Sequence, residues 1–167
     1  EGDPKRHKLL KQNLPQSNVI KICKFIHFEG ENRLDNILSN TSIPLDFDFL
    51  SIDIDGADYY IWESLDKYLP KIVCVEFNPT MPNFIEFIQP KDFMVKQGSS
   101  AKAISSLASS KGYTLITLIG CNLIFARSDI ANYIVDSSPS LSELYPEGDN
   151  PQCIFIGYDG TILSNKE

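Results

Sequence analysis

Between Asp46 and Leu65 the hydrophobic pattern changes its period. Polar and apolar residues first alternate and then pass through Leu50, Ile52 and Ile54, the two-residue repeat of a strand; beyond the change Ala57, Ile61 and Leu65 recur four apart, the repeat of a helix. The change falls at Asp55-Gly56. A strand that ends in acids, turns on a glycine and enters a helix is half of a βαβ crossover, and in open α/β sheets ligands bind beyond the carboxyl ends of such strands. On a strand Asp53 and Asp55 would share one face, where each raises the other's pKa unless a cation or hydrogen-bond donors compensate. They are therefore candidates for a base, a ribose contact or a metal site.

The flanking pattern supplies further elements. Asp3 suits an N-cap and Pro4 a first helical position, so a helix is expected to run to about Leu14, before Pro15. Asn18 to Phe28, rich in Val19, Ile20, Ile22, Phe25 and Ile26, reads as a strand, and Glu31 to Ser39 as a short helix. Lys71 to Asn78 is a nearly continuous apolar run, as expected of a strand covered on both faces. Pro79, Pro82 and Pro90 punctuate a long excursion that carries Phe84, Phe87, Phe93 and Met94. It reads either as a lid or substrate wall over the strand tips, or as ordinary cover of the core. Gly98-Ser99-Ser100 caps a helix from Ala101 to Ser110. Tyr113 to Ile119 and Asn122 to Arg127, joined by Gly120-Cys121, form an antiparallel hairpin, and Asp129 to Val135 reads as a short helix. The expected organisation is one α/β domain over 1–135 and an irregular tail over 136–167, with Cys153 to Ile156 as an edge strand.

Composition narrows the class of partner. The 167 residues are 43% hydrophobic and 22% charged, the balance of a soluble globular domain. A net charge of -7 argues against nucleic acid or an anionic membrane surface as partner, since phosphate binding needs clustered Lys and Arg. The basic cluster Lys5-Arg6-His7-Lys8, with Lys11, reads as a solvated helix face. Cys23, Cys74, Cys121 and Cys153 show no metal or redox spacing and read as buried, reduced thiols of a cytoplasmic protein. No apolar run approaches the length of a membrane span.

Glu1-Gly2-Asp3-Pro4 with Leu9 and Leu10 behind it, Asp48 to Tyr59 around Asp53-Ile54-Asp55-Gly56, and Val75-Glu76-Phe77-Asn78-Pro79 follow one another in an order that resembles the FkbM-type methyltransferases. These are Rossmann-like enzymes that depend on S-adenosylmethionine. Gly98-Ser99-Ser100, Lys111-Gly112-Tyr113 and Gly120 to Phe125 add a weaker likeness, so the resemblance spans Glu1 to about Asp129. It implies a mostly parallel sheet that closes on an antiparallel hairpin. The family's first strand and glycine-rich loop are expected before Glu1, so this chain is expected to lack its first strand and to come from a longer natural protein.

The resemblance also implies roles. Glu1 would accept hydrogen bonds from the cofactor ribose, Phe28 and Glu29 would border the adenine, and Asp53 would lie against the cofactor. Asp53 and Asp55 would be the catalytic carboxylates and Asn78 a substrate contact, the acceptor being a hydroxyl of a sugar, glycolipid or small metabolite. Related sugar O-methyltransferases suggest Mg²⁺ held by Asp53, Asp55 and Glu76. Against this stands a purely structural use, Asp55 capping the helix and Asp53 ordering the loop. Two other functions compete. A methyltransferase-like domain can serve as a non-catalytic binding module. Asp53-Ile54-Asp55-Gly56 and Tyr158-Asp159-Gly160-Thr161 also resemble the nucleophile motif of haloacid-dehalogenase phosphatases, in which Asp53 would attack phosphorus and Asp55 act as acid and base. No later paired-acid motif accompanies it.

Overall fold

The computed structural model describes residues 1–146 and two short strands, Ile154–Ile156 and Ile162–Ser164. Asp3 accepts hydrogen bonds from the N–H groups of Lys5 and Arg6 and starts α1 (Pro4–Asn13) as the sequence predicts. A 3₁₀ turn at Gly30–Asn32 leads into α2 (Leu34–Leu38). The period change at Asp55-Gly56 becomes β1 (Phe49–Ile52) and α3 (Asp58–Glu63). β2 (Ile72–Glu76), α4 (Ala101–Ser110), β3 (Tyr113–Ile119), β4 (Asn122–Arg127) and α5 (Ser128–Ala131) follow. The tail then adds α6 (Leu141–Leu144), started by a capping box between Ser140 and Glu143.

The protein is α/β, with a mixed sheet in the order β1-β2-β4-β3. β1 and β2 are parallel, in register from Phe49 beside Ile72 to Ile52 beside Val75; β2 with β4 and β4 with β3 are antiparallel. The expectation of a mostly parallel sheet is thus corrected to one parallel pair. The reason lies in Asn18 to Phe28, which is not a strand. It makes one parallel-type contact, the Glu1 nitrogen donating to the Ile22 carbonyl at 3.5 Å and Lys24 N–H to the Glu1 carbonyl at 3.2 Å. With no longer ladder to join, only its end reaches the core, through Phe28 and the half-buried Ile26, while Ile20 is 63% and Phe25 71% exposed. Cys23 is exposed with them, and Cys74 and Cys121 are half-buried, so the expectation of buried thiols is corrected too. The expected edge strand exists as β5 (Ile154–Ile156), but it pairs with β6 (Ile162–Ser164) and not with the main sheet. Cys153 and the Asp159 motif lie outside the described residues.

The core fills one face of the sheet. Ile52, Val73, Val75, Leu123 and Phe125 point into it and meet Ile61, Trp62 and Leu65 from α3 and Ile104 and Leu107 from α4. Trp62 is fully buried, its ring 5.3 Å from that of Phe125 and 5.5 Å from that of Tyr113. On the opposite face Ile72, Cys74 and Glu76 remain half-buried, which corrects the expectation that β2 is covered on both sides. The Pro79 to Gln97 excursion is pinned to the strand tips. Gln89 has no exposed surface; its Oε1 accepts Gly98 N–H at 2.9 Å and Gln97 N–H at 3.3 Å, while its carbonyl accepts the Tyr60 hydroxyl at 2.6 Å. Tyr145, just beyond α6, holds the excursion from outside, its carbonyl accepting Asn83 Nδ2 and its hydroxyl donating to the Pro79 carbonyl.

Candidate functional site

β1 stops at Ile52, so Asp53 and Asp55 lie on the turn and not on the strand whose face they were expected to share. Asp55 has φ 59, the left-handed region, and Gly56 follows at φ 127. Glycine is required there on two counts. Its φ disfavours any side chain, and a Cβ would come 2.9 Å from Gln89 Oε1 and 3.0 Å from both Lys96 Cα and the Val95 carbonyl.

Asp58 holds the turn. At the start of α3 and 3% exposed, it accepts Ile54 N–H on Oδ1 and Gly56 N–H on Oδ2, both at 2.9 Å. Burial pushes its pKa up, the two N–H bonds oppose that, and the charge of Asp53 adds to the rise. The helix cap expected of Asp55 is therefore absent, since Ala57 stands at the N-cap and among the described residues no side chain bonds the first helical N–H groups, and the loop ordering expected of Asp53 belongs to Asp58.

Glu76 ends β2 opposite Asn122 of β4. Burial raises its pKa, the Cys121 thiol donating to Oε1 at 3.5 Å lowers it, and Asp53, Asp58 and Asp55 raise it again. Cys121 is in turn pushed up by burial and by Glu76. Asn78 lies two residues further, but its amide is spent on the chain: Nδ2 donates to the Gln97 carbonyl at 2.7 Å, and Oδ1 accepts from Thr80 N–H and hydroxyl at 2.9 and 2.6 Å.

Two cavities open at this edge. The smaller, of about 420 Å³, is bordered by Asp55, Asp58, Glu76 and Asn78 on one side and by Lys96 and Gln97 of the excursion on the other. The larger, of about 600 Å³, is bordered by Glu1, Arg6, Lys24, Asp53 and Phe93, and by Asp55 again. Both fall in the roughly 300–1,000 Å³ range of small-molecule sites. Asp55 borders both.

Glu1, Asp53 and Asp55 thus come together at the larger cavity, with Glu1 Oε1 already accepting Asp3 N–H at 2.9 Å. Phe28 does not border it. It is 8% exposed and stacks parallel behind Phe93 at 4.9 Å, so Phe93 presents the aromatic wall that sequence reasoning placed at Phe28. Glu29 stands apart, beside a separate depression with His27 and Glu31, and pairs with Lys91 at 3.9 Å. Lys91 also lies over the Phe28 and Tyr60 rings at 4.9 and 5.3 Å.

The acids do not form a metal centre: among the described residues no three His, Cys, Asp or Glu side chains are grouped to hold an ion. Asp53 faces the larger cavity, Glu76 the smaller, and both Asp58 oxygens are engaged, so no step is assigned to Mg²⁺. Sequence reasoning missed Asp58, Phe93, Lys96 and the turn of Arg6 toward a cavity. An acid in a first helical turn is explained by the dipole alone, and the other three depend on long-range folding. The chain matches no family model, no curated protein and no solved structure.

Proposed function

We propose that the chain is a domain of a Rossmann-like methyltransferase that uses S-adenosylmethionine and acts on a hydroxyl of a sugar, glycolipid or small metabolite. The observation that carries this reading is the meeting of two cavities at Asp55, because a group transfer needs two binding sites that share one point. The larger cavity suits the cofactor. Its Glu1 carboxylate offers the paired acceptor that two ribose hydroxyls need, and Phe93, braced by Phe28, offers a flat apolar wall for an adenine. When bound, S-adenosylmethionine supplies a methyl carbon activated by its neighbouring sulfonium.

The chain's own residues do the rest. Glu1, Asp53 and Phe93 bind and orient the cofactor, and Asp55 keeps a carboxylate at the junction, beside the positive centre. Lys96 and Asn78 border the acceptor cavity, and one of its carboxylates, Asp55 or Glu76, takes up the acceptor's proton. The raised proton affinity of Glu76 suits that task.

Titration calorimetry of S-adenosylhomocysteine into the full-length natural protein tests the reading. Micromolar binding is expected, weakened about tenfold or more in Glu1→Ala by loss of the ribose contacts. A folded full-length protein that binds nothing would leave the domain as a non-catalytic module.

A further inference from the structure

Asp55 borders both cavities with its backbone in the left-handed region, which disfavours a residue with a side chain. The hold comes from three directions. Ile52 fixes the turn's entry by pairing with Val75, and Gly56 lies against the backbone of Val95 and Lys96. Asp58 closes the turn from inside, one carboxylate oxygen on the residue before Asp55 and the other on the residue after it. A carboxylate is the side chain that can do this, because it offers two acceptors and no donor. An amide in its place would turn an N–H toward one of the two backbone N–H groups.

The position is costly. Asp58 is 3% exposed in acidic surroundings, with Asp53, Asp55 and Glu76 nearby and, among the described residues, Lys96 the one basic side chain bordering the same cavity. A helix start alone does not call for such burial, since an acid at the surface already interacts favourably with the dipole. We propose that Asp58 is a positioning residue: by bonding the N–H groups of Ile54 and Gly56 it holds Asp55 at the junction of the two cavities and so sets cofactor affinity without touching the cofactor. This rests on the methyltransferase reading of the larger cavity.

Asp58→Asn in the full-length protein, with Asp53→Asn as a comparison, tests it by two readouts. Amide exchange followed by NMR reports the turn, and calorimetry with S-adenosylhomocysteine reports the site. In Asp58→Asn, exchange at Ile54 or Gly56 is expected to rise about a hundredfold while Val73, Val75 and Leu123 stay protected, and affinity to fall about tenfold. Asp58→Ser, which keeps one acceptor, serves if the amide variant does not fold; it should free one of the two N–H groups and weaken binding less. Faster exchange with unchanged affinity would make Asp58 structural only and overturn the proposal, leaving the methyltransferase reading in place. Unchanged exchange would overturn it as well. Absence of binding in the wild-type protein, with Gly56 still protected by Asp58, would remove the methyltransferase reading, and the positioning role with it.

Discussion

Tyr113 carries a phenol into the core, 3% exposed, where its hydroxyl donates to the Pro70 carbonyl at 2.7 Å. Burial pushes its pKa from 10.0 up to about 12. A group whose pKa is raised by folding favours the native state below its unfolded pKa and loses that advantage as pH rises through the folded value. Tyr113 is therefore expected to contribute about 2–3 kcal/mol to a loss of stability between pH 10 and 12, as denaturant titrations would measure, and in Tyr113→Phe the loss should be smaller by about that amount. Residues with this kind of role are hard to read from the chain. Tyr113 stands in an apolar run and is legible as core, whereas its hydroxyl's partner is 43 positions away. Asp58 shows the limit more sharply: its letter fits any helix start, and only the folded turn shows that both its oxygens are taken.

At the scale of elements, the excursion between β2 and α4 behaves as a fixed wall. Gln89 joins it to α3 through Tyr60 and to its own far end through Gln97 and Gly98, and Met81 is buried, whereas Phe84 and Met94 at its tips are exposed. Gln89→Leu keeps the volume and strips the acceptor, leaving the Gly98 N–H unpaired at a cost of about 1–3 kcal/mol. Limited proteolysis is expected to cut that variant first between Phe84 and Gly98, and cleavage no faster than in wild type would show that the wall does not hang on Gln89. The elements that were legible carry their evidence locally. α1 has its Asp3-Pro4 start, α4 its Ser100 cap and buried Ala103, Ile104 and Leu107, and the β3–β4 hairpin its two apolar runs around Gly120. Asn18 to Phe28 has equally strong local letters but makes no strand, because a strand is decided by what lies beside it.

For the molecule as a whole, the α/β class was legible in the change of period at Asp55-Gly56, and the sheet's composition was not. One parallel pair, two antiparallel pairs and a face left half-buried are properties of neighbours distant in sequence. Among the described residues no helix is long and apolar enough to cross a membrane. The turn that organises the site also bears on how the molecule ages. Asp-Gly is the dipeptide whose aspartate cyclises most readily, since the unhindered glycine nitrogen can attack the side-chain carboxyl, lose water and reopen as isoaspartate with an extra carbon in the backbone. At Asp55-Gly56 that nitrogen is tied by its hydrogen to Asp58 at 2.9 Å, so folding itself guards the bond. Peptide mapping of stored samples is expected to find isoaspartate at position 55 accumulating faster in unfolded than in folded chains. Each such event lengthens by one backbone atom the turn that borders the two cavities.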